Sequence, residues 1–190
     1  GDLILGKSLG ISGGFHAEKD RAAQTLSISV TNNTGFMGPI DLKTGERRGL
    51  SFRSLTGAAF VTRTGVATQM SGTATLQGLG DLTLAGTGLN IELNSIGGIV
   101  NETVSFGAQT KVVNYTTTVA RLTAAGTMTG EVAGFITVTG DFGFQTDAGG
   151  NGSLAAALLN PLIATAGNAS VGMRAGDDFF LGFASGSIGL

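Results

Sequence analysis

The amino-acid sequence predicts an all-β fold of long, curved, mainly antiparallel strands that form an elongated sandwich, roll or solenoid-like repeat. Threonines alternate with aliphatic residues in many short runs, such as residues 73–76 and 136–139. A period of two is the signature of a half-buried strand. Glycine supplies 33 of the 190 residues, and glycine inside a strand marks a bulge, a bend or the close approach of another backbone.

Strands are expected wherever this alternation continues between clusters of turn-forming residues. The predicted strands cover residues 3–15, 25–31, 50–62, 67–77, 81–93, 103–106, 111–124, 126–133, 135–145, 154–159, 170–175 and 179–188. Turns rich in glycine and polar residues separate them, as at residues 43–46 and 147–152. A composition that favours helix is confined to residues 18–24 and 154–159. The phenylalanines are expected to supply most of the large core volume, because small residues occupy much of the remaining chain.

An internal similarity predicts two copies of one unit. Residues 9–20 and 136–147 both contain a β run, a glycine, a phenylalanine close behind it and a polar turn that ends on aspartate. A shorter similarity links residues 1–5 to residues 80–84. We therefore interpret residues 1–133 as a first β repeat unit and residues 134–190 as a partial second copy that is continuous with it. Such a chain is expected to be a piece of a longer tandem array.

Three short motifs carry a resemblance to a known kind of protein. Residues 98–104 contain an Asn-Glu-Thr motif, residues 133–144 contain a Gly-Phe motif followed by Gly-Asp-Phe-Gly-Phe, and residues 171–174 read Val-Gly-Met-Arg. The chain resembles the Gly/Thr/Ala-rich tandem repeats of very large bacterial secreted or cell-surface proteins. This resemblance implies an extracellular or cell-surface location and a structural or adhesive role, and it carries over no catalytic residue.

The composition excludes several classes of chemistry. The chain has no cysteine and one histidine, which excludes disulfides, thiol chemistry, zinc clusters and paired-histidine sites. A formal net charge of -2 gives no electrostatic reason to bind nucleic acid. We predict that the chain is not an enzyme, because no serine lies in a nucleophile elbow with a base beside it.

The histidine lies in a charged segment. His16, Glu18 and Asp20 would share one face of a strand, so a metal or acid-base cluster is one interpretation. The other, which we favour, is a solvated charged turn that closes a hairpin.

For calcium the sequence offers four weak candidate ligands. They are the carboxylates of Asp141, Asp147, Asp177 and Asp178. Oxygen ligands suit calcium, but the spacing of an EF-hand loop is missing. We therefore expect no cofactor, with bound calcium as the alternative.

Low charge and unpaired strand edges suggest what the chain does. Only 13% of the residues are charged, and exposed strand edges pair readily with other strands. We predict a structural, self-associating segment of an extracellular bacterial filament, sheath or adhesin stalk, with copies of itself as partners. The first alternative is a binding module whose loop at residues 39–48 contacts a glycan or a cell surface. A lipid-handling β-groove and an outer-membrane barrel rank lower. The barrel would need aromatic girdles, and the chain has no tryptophan and one tyrosine, so we expect no membrane insertion.

Overall fold

The computed structural model describes residues 1–5, 9–38, 43–78, 80, 82–106, 109–117, 119–132, 136–146, 162–175, 178–184 and 188–189, and every regular element in these ranges is a β-strand. The strands are β1 (Asp2–Leu5), β2 (Leu9–Ser12), β3 (Phe15–Asp20), β4 (Thr25–Met37), β5 (Gly49–Val61), β6 (Val66–Gln77), β7 (Leu82–Asn94), β8 (Val100–Phe106), β9 (Gln109–Tyr115), β10 (Val119–Val132), β11 (Ile136–Thr146), β12 (Leu162–Ala175), β13 (Asp178–Ala184) and β14 (Ile188–Gly189). This confirms the predicted all-β class.

Most strands belong to one large antiparallel sheet. Its order is β1-β2-β4-β5-β6-β7-β10-β11-β12-β13, with β3 paired to β4 and β14 paired to β12. β2 and β3 pair with successive halves of the same edge of β4, while β5 lies along the other edge. β8 and β9 form a separate hairpin. The strand order follows the chain closely because short antiparallel connections place consecutive strands side by side.

The segment at residues 18–24 is not helical. Residues 18–20 belong to β3, and residues 21–24 form the turn into β4. The side-chain oxygen Oδ1 of Asp20 accepts hydrogen bonds from the amides of Ala22 and Ala23, at 2.8 and 2.9 Å. Such an Asx-type arrangement stabilises a turn and competes with helix formation. The other helix-favouring segment, residues 154–159, lies outside the described residues.

Bulges interrupt most of the long strands near their middles. The register shifts place the extra residues between Val30 and Asn33 of β4, between Arg53 and Thr56 of β5, between Gly86 and Leu89 of β7, and between Gly167 and Ser170 of β12. Asn32 and Ser54 adopt positive φ at these bulges. Bulges bend a strand and increase its twist. The line of bulges therefore curves the whole sheet.

One face of the sheet, here named the core face, carries the main apolar cluster. Because of the bulges, the buried side chains change parity along a strand: Leu84 lies before the bulge in β7, and Leu89 and Ile91 lie after it. The largest fully buried side chains are Phe52, Phe144, Leu9, Ile11, Met37, Leu50, Leu55, Leu84, Leu89, Ile91, Leu122 and Met128. Among the described side chains, leucine, isoleucine and methionine supply ten of these twelve residues, and the other two are Phe52 and Phe144. The side chains of five further phenylalanines lie outside the described part: residues 106, 135, 179, 180 and 183.

Close backbone packing explains some of the glycines. A Cβ atom added to Gly57 in β5 would lie 2.5 Å from Cα of Met70 in the neighbouring strand. A Cβ added to Gly14, between β2 and β3, would meet nothing within 4 Å. The two positions therefore differ sharply in their tolerance of a methyl group.

We predict that Gly57→Ala lowers the free energy of unfolding by about 1–3 kcal/mol, because overpacking at this site displaces the backbone of β6. The matched variant Gly14→Ala should stay within about 0.5 kcal/mol of the unaltered chain. Urea denaturation followed by far-UV circular dichroism measures both. Equal unfolding midpoints for the two variants would contradict the packing described for Gly57.

Candidate functional site

The two ends of the large sheet contain hairpins of matching register. In the first hairpin, Asp2 pairs with Ser12 and Leu5 pairs with Leu9. In the β10–β11 hairpin, Thr129 pairs with Thr139 and Val132 pairs with Ile136. Each residue of the first hairpin lies 127 positions before its counterpart in the β10–β11 hairpin: 129 − 2, 139 − 12 and 136 − 9 all equal 127. The sequence similarity between residues 9–20 and 136–147 has the same offset.

The next ladder matches as well, after a longer connection. Leu9 pairs with Met37, and its counterpart Ile136 pairs with Met173. Phe15 pairs with Val30, and its counterpart Phe142 pairs with Ala166. The offset is again constant along the strand, because 173 − 37 equals 166 − 30. This offset is 136, against 127 for the first hairpin. The connection from β11 to β12 is therefore nine residues longer than the connection from β3 to β4.

A third ladder completes the correspondence. Met37 pairs with Leu50 and Val30 pairs with Gly57 in the β4–β5 ladder. The corresponding pairs are Met173 with Leu181 and Ala166 with Ile188. The offset of this strand is constant too, because 181 − 50 equals 188 − 57. β13 and β14 together therefore occupy the place of β5. The matching ladders group β10 with the later set, whereas the sequence interpretation assigned residues 119–132 to the first unit.

The corresponding strands differ at one edge. β10 covers β11, because Gly126 pairs with Phe142 and Ala124 pairs with Phe144. Among the described residues, β3 pairs with β4 alone. The side chain of Phe15 is 38% exposed, whereas that of its counterpart Phe142 is 4% exposed. The ring of Phe15 is therefore partly exposed at the place where the ring of Phe142 is covered.

The β8–β9 hairpin packs on the opposite face of the sheet, here named the outer face. Its buried side chains Val104 and Val113 lie in a second apolar cluster with Ala58 of β5 and Ala67 of β6. Alanine at these positions lets the hairpin approach the sheet closely. The hairpin covers parts of β4, β5 and β6 and adds a second layer there.

Polar side chains fasten this hairpin to the sheet. The Gln69 side chain donates to the carbonyl of Asn114 at 3.0 Å and accepts from its amide at 2.9 Å. The hydroxyl of Tyr115 accepts from the amide of Leu93 at 3.1 Å and donates to the carbonyl of Thr68. Thr68 and Leu93 face each other across the β6–β7 ladder. The tyrosine hydroxyl therefore bridges two strands of the sheet and joins the hairpin to both.

A polar groove lies beside the hairpin on the outer face. It encloses about 290 Å³. Its side chains come from four strands and include Thr56, Gln69, Asn90, Glu92 and Lys111. Amide, hydroxyl and charged groups of both signs face the same space. Such a lining provides hydrogen-bond donors and acceptors for a polar ligand.

The residues of the predicted cluster around the histidine lie along β3, and two of them line a second cavity. His16, Glu18 and Asp20 alternate along β3 and are exposed. An open cavity of about 750 Å³ is lined by Glu18, Asp20 and Glu102 together with Lys19 and Arg21. The cavity therefore carries charges of both signs. Across the described ranges, no group of three or more histidine, aspartate or glutamate side chains is placed to hold a metal ion.

The calcium candidates are dispersed along the chain. Asp141 is exposed in β11, and its Oδ1 accepts a hydrogen bond from Thr127 Oγ1 at 2.7 Å. Asp178 begins β13. Asp147 and Asp177 lie outside the described residues. Asp141 is therefore the one candidate whose carboxylate the described residues include, because the side chain of Asp178 lies outside them as well.

The loop proposed to bind a glycan is described from Lys43 onward. Its exposed residues include Glu46 and Arg48, whose side chains approach to 4.0 Å. The guanidinium of Arg47 lies 5.3 Å from the centre of the Phe36 ring. The cation–π contact holds this end of the loop against β4.

Comparison with protein-family models, with curated proteins and with solved structures finds no match. Within the described residues there is no helix of the length and apolar character needed to cross a membrane.

Tyr115→Phe tests how the hairpin is attached. We predict a loss of about 1–3 kcal/mol in the free energy of unfolding, because the amide of Leu93 and the carbonyl of Thr68 lose their buried partner. Urea denaturation measures the loss. An unchanged free energy of unfolding would show that the two hydrogen bonds of the Tyr115 hydroxyl do not stabilise the fold.

The same tyrosine predicts a pH dependence. Burial, and secondly the negative charge of Glu92, raise the pKa of Tyr115 above its ordinary value of 10.0. The unfolded chain therefore loses this proton at lower pH than the folded chain does. The contribution of the protonated Tyr115 side chain to the free energy of unfolding is complete below pH about 10. It declines as the pH rises above that value. Because Tyr115 is the only tyrosine, ultraviolet absorbance reads its ionisation alone. The midpoint should lie above pH 10 in buffer and fall to about 10 in denaturant; equal midpoints would contradict its burial.

Proposed function

We propose that this chain is a structural β-repeat segment that joins further copies of its repeat unit through strand edges. In this proposal the curved sheet continues from one unit to the next as an elongated, solenoid-like roll. The assembled form is an extracellular bacterial filament, sheath or adhesin stalk. The chain acts through its backbone and its shape, and it carries out no catalysis.

The matching registers are the observation that carries the proposal. β1 to β5 and β10 to β14 pair in the same way, ladder by ladder, with a constant offset along each strand. When the same strand pairing occurs twice in one sheet, a further repeat unit can continue the sheet with the same pairing. The later set of strands follows the earlier one in the same sheet. This supports a polymer in which successive units share one continuous sheet.

The character of the sheet edges also supports association. Unpaired N–H and C=O groups at an edge form hydrogen bonds with any strand that aligns beside them. At the end of the described sheet that begins with β1, Ile4 and Phe15 are 36% and 38% exposed. Charged residues of β3 are confined to Glu18, Lys19 and Asp20. Asp2 is the charged residue of β1. The parts of this end that lack acidic and basic side chains other than histidine are residues 3–5 and 15–17, and pairing is expected there.

A binding module is the second candidate, and the polar groove on the outer face favours it. In that function, Gln69, Asn90, Glu92 and Lys111 would form hydrogen bonds with a glycan lying along the strands. The β8–β9 hairpin would serve as one wall of the site. A glycan array probed with the labelled chain tests this function, and Asn90→Ala should abolish any signal that the groove produces.

Self-association is tested by changing one edge side chain. We predict that the purified chain forms regular fibres in negative-stain micrographs and that Ile4→Lys suppresses them, because a lysine at an edge strand opposes pairing. Ile99→Lys is the matched control, since Ile99 is 78% exposed in the connection before β8. Its fibres should equal those of the unaltered chain.

Two outcomes would overturn the proposed function. One is a chain that stays monomeric in light scattering at every concentration tested. The other is equal suppression of fibres by Ile4→Lys and Ile99→Lys, which would point to a general effect of added charge.

A further inference from the structure

β9 has a strand edge that lies within the chain, beside the polar groove of the outer face. In the β8–β9 ladder Asn101 pairs with Asn114, and the side chain of Gln69 holds the amide and the carbonyl of Asn114. These two backbone groups therefore point away from β8. Because the backbone groups of an antiparallel strand alternate in direction, those of Val112 and Thr110 point away from β8 as well. Among the described residues, these amides and carbonyls have no hydrogen-bond partner.

Gln69 shows how this edge accepts a neighbour. Its side-chain amide donates to the carbonyl of Asn114 and accepts from the amide of the same residue, as a directly opposed residue of an antiparallel strand does. The side chain covers the edge at Asn114 and leaves it open at Val112 and Thr110. Val112 is 52% exposed, and Thr110 is exposed as well. The open part of the edge is therefore accessible to the backbone of a short extended segment.

The groove beneath this edge carries opposite charges at different positions. Val113 packs against the sheet, so Lys111, two residues away on β9, faces the same way and lines the groove. Glu92 also lines the groove, and it lies opposite Gln69 in the β6–β7 ladder, which places it toward the Asn114 end. Neither Lys111 nor Glu92 has an ion-pair partner among the described residues. Both charges are therefore available to side chains of a bound molecule.

We propose that the edge of β9 binds an extended segment of another protein by strand addition, with the segment antiparallel to β9. The backbone of the segment pairs with Val112 and Thr110, and its side chains alternate between solvent and the groove. The residue opposite Lys111 is acidic, and the residue opposite Val113, on the side of Glu92, is basic. The site therefore selects a basic residue followed two positions later by an acidic one.

This site goes beyond the proposed self-association, because β9 belongs to the separate hairpin and not to the large sheet. The sequence contains no lysine or arginine that is followed two positions later by aspartate or glutamate. A second copy of these residues therefore does not supply the segment.

Methylated peptides test the backbone pairing directly. The probe is the end-blocked, fluorescently labelled peptide Lys-Val-Glu-Val-Thr, and anisotropy reads its binding to the full chain. In the proposed register its two valines exchange hydrogen bonds with Val112 and Thr110, whereas the amide of its glutamate points away from β9. N-methylation of both valines should weaken binding at least about tenfold, and N-methylation of the glutamate should change it by less than about twofold. Equal affinities of the two methylated peptides would overturn the proposal.

A proline substitution tests whether the probe binds at this edge. Val112→Pro removes one of the free amides, and an edge strand tolerates proline where the missing N–H faces solvent. Val112→Thr is the matched variant, because it keeps the amide. We expect Val112→Pro to bind the probe at least about tenfold more weakly than Val112→Thr, with similar midpoints of urea unfolding. Equal affinity for the probe would place its binding elsewhere and reject the site.

Exchanging the two charges of the peptide tests the selectivity. The peptide Glu-Val-Lys-Val-Thr has the same composition but sets like charges against Lys111 and Glu92. It should bind about tenfold more weakly than the probe at low salt, and the difference should shrink as salt is added. Lys111→Ala should reduce this preference, whereas Lys19→Ala, which removes the same charge from β3, should preserve it. Stronger binding of both peptides by Lys111→Ala would overturn the proposal, because the lysine would then be a guard against pairing.

Two further outcomes separate this site from the functions proposed above. The Ile4→Lys chain should bind the probe as tightly as the unaltered chain does, whether or not that substitution suppresses fibres. If the probe does not bind and a glycan-array signal is lost in Asn90→Ala, the groove is a glycan site and strand addition is rejected.

Discussion

Backbone hydrogen bonding at the edges of an open sheet is the constraint on which this molecule depends. A strand inside a sheet forms backbone hydrogen bonds on both sides, and an edge strand forms them on one side. β11 is an inner strand, because β10 and β12 pair with its two edges, whereas β1 lies at the end of the described sheet. The recurring ladders place both kinds of strand in one chain.

The line of bulges allows strands of 11 to 14 residues to share one apolar face. A straight strand of this length would twist its ends away from a common core. A bulge inserts an extra residue and bends the strand, and the buried positions change parity on its two sides. Asn32 and Ser54, at φ of 56° and 53°, accept a strained conformation to make this change. The resulting curvature leaves the outer face free for the β8–β9 hairpin.

Much of the strand pattern could be predicted from the sequence, but the pairing could not. β5, β6, β7 and β11 lie within one residue of their predicted bounds, because alternation there is continuous and ends at glycine or polar turns. The predicted strand at residues 3–15 is in fact β1, β2 and the start of β3, and residues 111–124 contain the end of β9 and the start of β10. Alternation persists across both breaks, so periodicity does not reveal them. The similarity between residues 9–20 and 136–147 was visible in the sequence. The correspondence of the following ladders was hidden by connections of different length, and the order of the strands in the sheet depends on long-range pairing that no local pattern encodes.

Native-state hydrogen exchange measures the central claim most directly, because one molecule contains both an end strand and inner strands of the same sheet. In the dispersed chain, the outward-facing amides of β1 (Asp2–Leu5) should exchange orders of magnitude faster than those of residues 142–145, which are hydrogen-bonded within the sheet. In the assembled material, the amides of β1 should become protected to a similar degree. Equal protection of the two segments in the dispersed chain, or an edge that stays unprotected after assembly, would contradict this account.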